Sequence, residues 1–330
     1  MDKGNPDGEK PAIAVVVPCY KVKSKVLDVL RRIPADVAYI FCVDDACPEQ
    51  SGDFIKQSCE DKRVRVLHHE QNQGVGGAMV TGYRAALETD AAIVVKLDGD
   101  GQMAPEILPS FVAPITAELC DYTKGNRFFR PEDVKSMPRI RLFGNGLLSF
   151  VTKLSSGYWN IFDPNNGYTA IHADVLRRMP LHKISRGYFF ESDMLFRLNL
   201  LHAAVMDVPM TAVYADETSS LDIKKILWPF LRGHARNLYK RIGYNYFLRD
   251  FHLASLELLL GLVFMIFGTV FGIVEWSAGE AVHMPASAGT VMLSALPVIL
   301  GFQMLLSFLQ FDIQSTPRHA VHLGLARQPD

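Results

Sequence analysis

Two long stretches without a charged residue lie near the end of the chain, and they limit its fold more than any other feature. Leu258–Val274 runs for 17 residues and Pro285–Phe311 for 27. At about 1.5 Å of rise per residue the first covers roughly 26 Å as a helix. With Ala254–Glu257 and Glu275–Trp276 at its margins it reaches across a hydrocarbon core of about 30 Å, and the second exceeds that length. Only Glu275–Met284 separates them. They read as a two-helix transmembrane hairpin over 251–312, with spans at about 254–276 and 285–311. Two core helices of a soluble domain are the competing reading. A core helix rarely runs 27 residues without a charge, and nothing apolar follows to cover this pair.

The charges orient the hairpin. Residues 219–250 hold Lys224, Lys225, Arg232, Arg236, Lys240, Arg241 and Arg249 against two Asp, net +5. The loop between the spans carries Glu275 and Glu280 and no Lys or Arg. Positive segments stay on the cytoplasmic side, so both chain ends are expected there. Ile223, Ile226, Leu227, Phe230, Leu231, His234, Leu238 and Ile242 recur at three- and four-residue steps, with basic residues and Trp228, Tyr239, Tyr244 and Tyr246 among them. This is the pattern of a basic juxtamembrane helix lying on anionic membrane lipids; a solvated face of an ordinary surface helix is the alternative. Residues 1–10 read as a short disordered leader without a signal-peptide core, and 313–330 as a cytoplasmic tail.

Whole-chain composition excludes several classes. Net charge is −1, which argues against a nucleic-acid binder. Apolar residues make up 49%, too many for a disordered chain. Five Cys are too few for a disulfide scaffold.

Residues 11–218 alternate short apolar runs with amphipathic stretches. Ile13–Val17, Tyr39–Val43, Val64–Leu67, Ala92–Leu97 and Val205–Val208 read as buried strands. Lys25–Arg32, Gly76–Leu87, Ile107–Leu119, Arg141–Leu154 and Ser192–Leu201 read as helices. Strand–helix alternation predicts a doubly wound α/β sheet, whose ligands bind at the carboxyl ends of its strands. Polar clusters follow the first four strands: Pro18-Cys19-Tyr20-Lys21, Asp44-Asp45, the Gly-rich Asn72–Ala78, and Asp98-Gly99-Asp100-Gly101-Gln102. The last is the most specific chemically. Two carboxylates and an amide on a Gly-flanked turn suit Mg²⁺ or Mn²⁺ held jointly with a phosphate ligand; an ordinary Asp/Gly turn is the bland reading. The Gly-rich stretch is not a dinucleotide fingerprint, because Met79 stands where the third Gly belongs, and no P-loop lysine follows.

Taken in order, VVVPCY (15–20), VDDACP (43–48), NQGVGGAMVTGYRAA (72–86) and LDGDGQMAPE (97–106) resemble the nucleotide-sugar half of family 2 glycosyltransferases with the GT-A fold. The basic helix and terminal hairpin resemble the polyprenyl-phosphate members, the group containing dolichol-phosphate mannose synthase. The resemblance implies that Pro18, Tyr20, Asp44, Asp45, Gly74, Asp98 and Lys124 border a UDP- or GDP-sugar. It implies that Asp98, Asp100 and Gln102 hold the metal, and that Arg127, in Lys124–Phe128, lies near the phosphates. Phe162–Tyr168 and Gly187–Leu195 match two further family segments, the second on the acceptor side.

There are departures. Thr169-Ala170 stands where an Arg is usual, and Glu217–Leu221 stands where a Gly-x-Ser-Lys-like turn is usual. Arg186, Lys224 and Lys225, with Arg127, are the candidates for binding an acceptor phosphate.

The implied reaction is inverting transfer of one sugar to a polyprenyl phosphate at the cytoplasmic face of the inner membrane. A phosphomonoester is mostly dianionic at neutral pH and needs no base. A lipid-linked hydroxyl acceptor needs one, with Asp193 first and Glu191 and Asp163 behind it; the start of a solvated helix is the bland reading of Glu191 and Asp193. An inactive GT-A membrane scaffold is a third reading. Gly261, Gly268 and Gly272 suit close packing between subunits of a homo-oligomer.

Overall fold

The computed structural model describes residues 11–129, 139–211, 223–281 and 283–325, without the side chains of 139–141 and 223–226. The 1–10 leader, the Glu217–Leu221 departure and the side chains of Lys224 and Lys225 therefore lie outside the described residues. The chain forms two compact units, Met1–Leu238 with Pro317–Asp330, and Tyr239–Thr316.

The first unit is built on one seven-stranded sheet: β1 (Ile13–Cys19), β2 (Tyr39–Asp44), β3 (Val64–His68), β4 (Ile93–Lys96), β5 (Tyr122–Asn126), β6 (Thr169–His172) and β7 (Val205–Pro209). Their spatial order is β3-β2-β1-β4-β6-β5-β7. The pairs β1/β2, β2/β3, β1/β4 and β5/β7 are parallel; β6 runs antiparallel to both β4 and β5. The mostly parallel doubly wound sheet is thus as expected. Its five anticipated strands are present, and β5 and β6 are additional. Helices α1 (Val26–Arg31), α2 (Ser51–Ser58), α3 (Val75–Leu87), α4 (Leu108–Thr116), α5 (Arg139–Ser156), α6 (Ala173–Arg178) and α7 (Phe190–Leu200) connect the strands.

β1 shows why its sequence lacks polar alternation. Ile13, Val15 and Val17 enter the core shared with α1 and α4, while Ala14 and Val16 enter the core shared with α3 and α7. Successive residues of a strand point to opposite faces, and here both faces are covered, so both sets must be apolar.

After α8 (Ile223–Gly243) and a π-helical turn (Tyr244–Arg249), the second unit continues as α9 (Leu253–Ala281) and α10 (Ala288–Gln314). Both helices are long and apolar enough to cross a membrane. The glycines assigned to packing between subunits are used inside this hairpin. A Cβ on Gly261 would stand 3.1 Å from Gly301 O, one on Gly268 would stand 2.6 Å from Ser294 O, and one on Gly272 would strike Ser294 Oγ. Arg241, one of the seven basic residues of 219–250, is instead 2% exposed and pairs with Asp312, which also accepts from Tyr246 Oη at 2.6 Å. Pro317 onward belongs to the first unit, where α11 (His322–Leu325) packs. There Val321 N, His322 N and His322 Nδ1 all meet the buried Asp121 carboxylate.

Candidate functional site

The carboxyl end of β4 carries the central charge cluster. Lys96, 1% exposed, lies 2.8 Å from Asp98 Oδ1 and 3.3 Å from Glu191 Oε1. Burial by itself pushes the Lys96 ammonium down, but the two carboxylates outweigh it and raise it above the ordinary lysine value. The strand therefore ends in a fixed positive charge beneath Asp98. Asp100 Oδ1 accepts from Gln102 N at 2.9 Å, closing a turn in which Gly101 has φ +75°. That region favours glycine. Gly167 lies over this turn from the Phe162–Tyr168 segment, so near that a Cβ would strike Lys96 Nζ and stand 2.5 Å from Asp98 Oδ2. Asp98, Asp100 and Gln102 form a hard-oxygen set with two carboxylates. That chemistry fits a divalent cation whose coordination a diphosphate completes; among the described residues no cluster of three or more His, Cys, Asp or Glu offers an all-protein metal site.

β5 and β6 deliver the second layer. Lys124, fully buried on β5, donates to Asn166 O at 2.5 Å. Burial pushes its ammonium down to about 8, against the pull of Glu191 and Asp163. Two positions past β5's Gly125, Arg127 forms a two-point pair with Asp163, Nε to Oδ2 at 2.7 Å and Nη2 to Oδ1 at 3.0 Å. Asp163 is 2% exposed and also accepts from Arg127 N. Asp207 on β7 was not anticipated. Burial pushes its carboxyl up to about 6, while it accepts from Asn126 Nδ2 at 2.7 Å and Phe162 N at 3.2 Å. The available signal was a carboxylate inside an apolar strand.

Other anticipated residues support loops. Asp44 accepts from Cys47 N at 2.7 Å and Gly52 N at 2.5 Å. Asp45 accepts from Gln73 N and Gly74 N, both at 2.8 Å, and meets His69 Nδ1 at 2.7 Å. Both carboxylates are at most 4% exposed, so they hold the loops at the ends of β2 and β3. Pro18 and the exposed Tyr20 stand at the end of β1. The Gly-rich start of α3 meets protein: a Cβ on Gly74 would lie 2.6 Å from Arg186 O. Arg186 itself is exposed.

Asp193 does not join the Asp98 cluster. It is completely buried, accepting from Arg197 Nε and Ser185 N at 2.9 Å and from Asn237 Nδ2 at 3.1 Å. Each anticipated base thus faces a cation: Asp163 has Arg127, Glu191 has Lys96 and Asp193 has Arg197.

A sequence model described as glycosyl transferase family 2 matches residues 14–179. An undecaprenyl-phosphate mannosyltransferase of Micrococcus luteus is 32% identical over 205 residues, 61% of this chain and 83% of that protein. A UDP-N-acetylglucosamine–dolichyl-phosphate N-acetylglucosaminyltransferase of Methanococcus voltae is 28% identical, covering 62% of this chain and 86% of that protein. Among solved structures, mannosyl-3-phosphoglycerate synthase from Rubrobacter xylanophilus superposes with a TM-score of 0.57 at 18% identity, covering 74% of this chain and 78% of that one. Glucosyl-3-phosphoglycerate synthase from Mycobacterium tuberculosis, solved with Mn²⁺ and UDP, gives 0.52 at 20% identity, covering 71% and 80%. At these identities the two structures establish the shared fold alone.

Proposed function

We infer the reaction from one premise, that the chain belongs to glycosyl transferase family 2: it transfers one sugar from a UDP- or GDP-sugar to a polyprenyl phosphate at the cytoplasmic face of the inner membrane. The relatives that act on undecaprenyl phosphate and dolichyl phosphate support the acceptor class. The two apolar helices support the membrane setting.

Asp98, Asp100 and Gln102 would hold Mg²⁺ or Mn²⁺, and the ion when bound supplies Lewis-acid neutralisation of the leaving diphosphate. Lys96 holds Asp98 through its ion pair, and the missing side chain of Gly167 lets the Phe162–Tyr168 segment approach both closely. Lys124 and Arg127 add positive charge on the β5 side. An acceptor phosphate oxygen attacks the anomeric carbon as the bond to the diphosphate oxygen breaks on the opposite face. The products are a polyprenyl sugar phosphate of inverted configuration and the nucleoside diphosphate.

One observation carries the choice of acceptor: the three carboxylates proposed as bases are paired with Arg127, Lys96 and Arg197. A hydroxyl acceptor needs a carboxylate ready to take a proton. A phosphate dianion needs charge neutralisation and position. The test is incubation of the purified full-length protein with labelled UDP- and GDP-sugars, divalent metal, and either undecaprenyl phosphate or undecaprenol. The expected product is lipid-linked sugar phosphate with the first acceptor only, lost on chelation and in Asp98→Ala. Product with undecaprenol alone would overturn this reading.

A further inference from the structure

The loop Ser185–Phe189 is held from two sides. On one side its backbone meets the start of α3, where Gly76 N and Gly77 N donate to Arg186 O at 2.8 and 3.3 Å. A Cβ on Gly76 would collide with Ser185 O. On the other side the loop meets α8. Asp193 accepts from the loop's Ser185 N and from the helix's Asn237 Nδ2, so one carboxylate joins the two. One turn earlier, Gly233 passes over Phe189, whose ring carbons lie 2.8 Å from where a Cβ would stand. Phe230 and His234 of α8 meet the same ring edge-on, and His234 Nδ1 is 2.8 Å from Ser155 Oγ on α5.

The opposite face of α8 is exposed and suited to lipid. Leu227, Trp228 and Leu231 are 64%, 72% and 50% exposed, with Arg232 exposed beside them, while Arg236, also exposed, reaches back to Asp193 Oδ1 at 3.7 Å beside the Asn237 contact. An aromatic residue with aliphatic and basic neighbours on one helix face suits a headgroup boundary. The expected apolar stripe is therefore divided: Phe230 and His234 pack on the protein, while Leu227 and Leu231 do not.

The protein-facing grip is incompletely satisfied. Among the described residues, His234 Nε2, Asn237 Oδ1 and Ser192 Oγ are buried without a hydrogen-bond partner. Burying such groups costs free energy that no bond returns.

We propose that Asn237 is a positioning residue for the lipid acceptor: with α8 seated on an anionic bilayer, it holds Ser185–Phe189 against α3 through Asp193. That arrangement presents the exposed Arg186 to the acceptor phosphate and the exposed Tyr188 to its prenyl chain. The proposal rests on the polyprenyl-phosphate reading and adds a link between membrane contact and acceptor binding.

The test uses full-length protein in phosphatidylglycerol-containing vesicles and in neutral detergent micelles. Amide exchange of 185–189 reads the loop without requiring turnover. Wild-type exchange is expected to be slower in vesicles, and Asn237→Leu and Gly233→Ala are expected to remove the difference. In both variants KM for undecaprenyl phosphate should rise about tenfold while donor KM stays within about twofold. The proposal is overturned by equal wild-type exchange in both settings, or by variants with wild-type exchange and acceptor KM. Loss of donor binding in both variants also counts against it, since a positioning role leaves the donor half intact. If wild-type protein forms no lipid product but its exchange responds to vesicles and to both substitutions, the acceptor reading fails and the link stands.

Discussion

The ammonium of Lys96 lies 2.8 Å from Asp98 Oδ1 at the head of the turn that would hold the metal. A buried lysine is an unfavourable way to end a strand unless its charge is compensated. Here it also reaches Glu191 Oε1, 95 positions away in sequence, so one ammonium joins the donor-side turn to the start of α7.

Removing that ammonium leaves Glu191, 8% exposed, without its ion-pair partner, with only the longer-range attraction of Lys124 remaining. Lys96→Met should destabilise the protein by about 3 kcal/mol, the lower end for breaking a buried pair because Asp98 retains some solvent access. The corresponding fall in the thermal midpoint is about 6–12 °C. Adding Glu191→Gln removes the orphaned charge and should recover at least about half of the loss, a coupling read from the double-mutant cycle.

Arg127 and Asp163 make the opposite kind of pair: the carboxylate is buried and the guanidinium is partly exposed. If Asp163 aligns Arg127, Asp163→Asn should lower kcat/KM about 100-fold, and the remaining activity should keep the wild-type pH profile. A general base would lose the acidic limb of that profile when replaced. Arg127→Lys should lower kcat/KM as well, because an ammonium cannot reproduce the two-point geometry.

Lys124 supplies a pH dependence with a defined sign. Burial holds its ammonium down to about 8, so it is a cation below that pH and becomes neutral above it. Attraction for the donor diphosphate should therefore weaken as pH rises through about 8. Donor KM should climb across that interval in the wild type, and in Lys124→Met it should be high and flat. Binding of the metal-loaded nucleoside diphosphate, measured by calorimetry at pH 7 and pH 9, checks the same point without turnover.

The turns proposed to face the donor were legible as turns because their residues are neighbours in sequence. The Asp98–Gln102 turn and the Gly-rich start of α3 each declare themselves within ten residues. β5 and β6 did not, for reasons visible in their composition. Tyr122–Asn126 is fully buried yet contains Lys124, Gly125 and Asn126, and Thr169–His172 is only four residues long. Neither carries an apolar period that separates a strand from a loop. The ion pairs were hidden for a different reason. Asp163 reads as a candidate base from its Pro/Asn turn, and only tertiary structure brings Arg127 against it from 36 positions away. Asp193 likewise looks like an exposed helix-start carboxylate until Ser185, Arg197 and Asn237 close around it.

The segment beyond the hairpin has a structural role. Asp121, completely buried at the edge of β5, accepts from Ala204 N, Val321 N and His322 N and pairs with His322 Nδ1 at 2.7 Å. Burial pushes its carboxyl up, but these bonds outweigh burial and hold it below the ordinary value. Its stabilising contribution is therefore present above the unfolded-state pKa and lost as pH falls through the lowered folded value. Replacing His322 with Ala should lower stability by about 1–3 kcal/mol at neutral pH, because a buried carboxylate loses a partner. The difference from wild type should shrink in acid-denaturation curves as Asp121 protonates.

Gly167 makes the most local prediction. Its backbone crosses the Lys96–Asp98 pair so closely that a single added methyl would strike Lys96 Nζ and stand 2.5 Å from Asp98 Oδ2. Neither neighbour can yield cheaply: Lys96 is buried and joined to two carboxylates, and Asp98 heads the proposed metal turn. Gly167→Ala must therefore displace Asp98 or lift the Phe162–Tyr168 segment that carries Asp163. A displaced Asp98 should weaken Mn²⁺ binding about tenfold or more by calorimetry, equivalent to about 1.4 kcal/mol. A lifted segment would instead break the Arg127–Asp163 pair, lowering kcat with little change in metal affinity. Measuring both in one variant identifies which contact yields, and wild-type values for both would show that the close approach is not a constraint on the site.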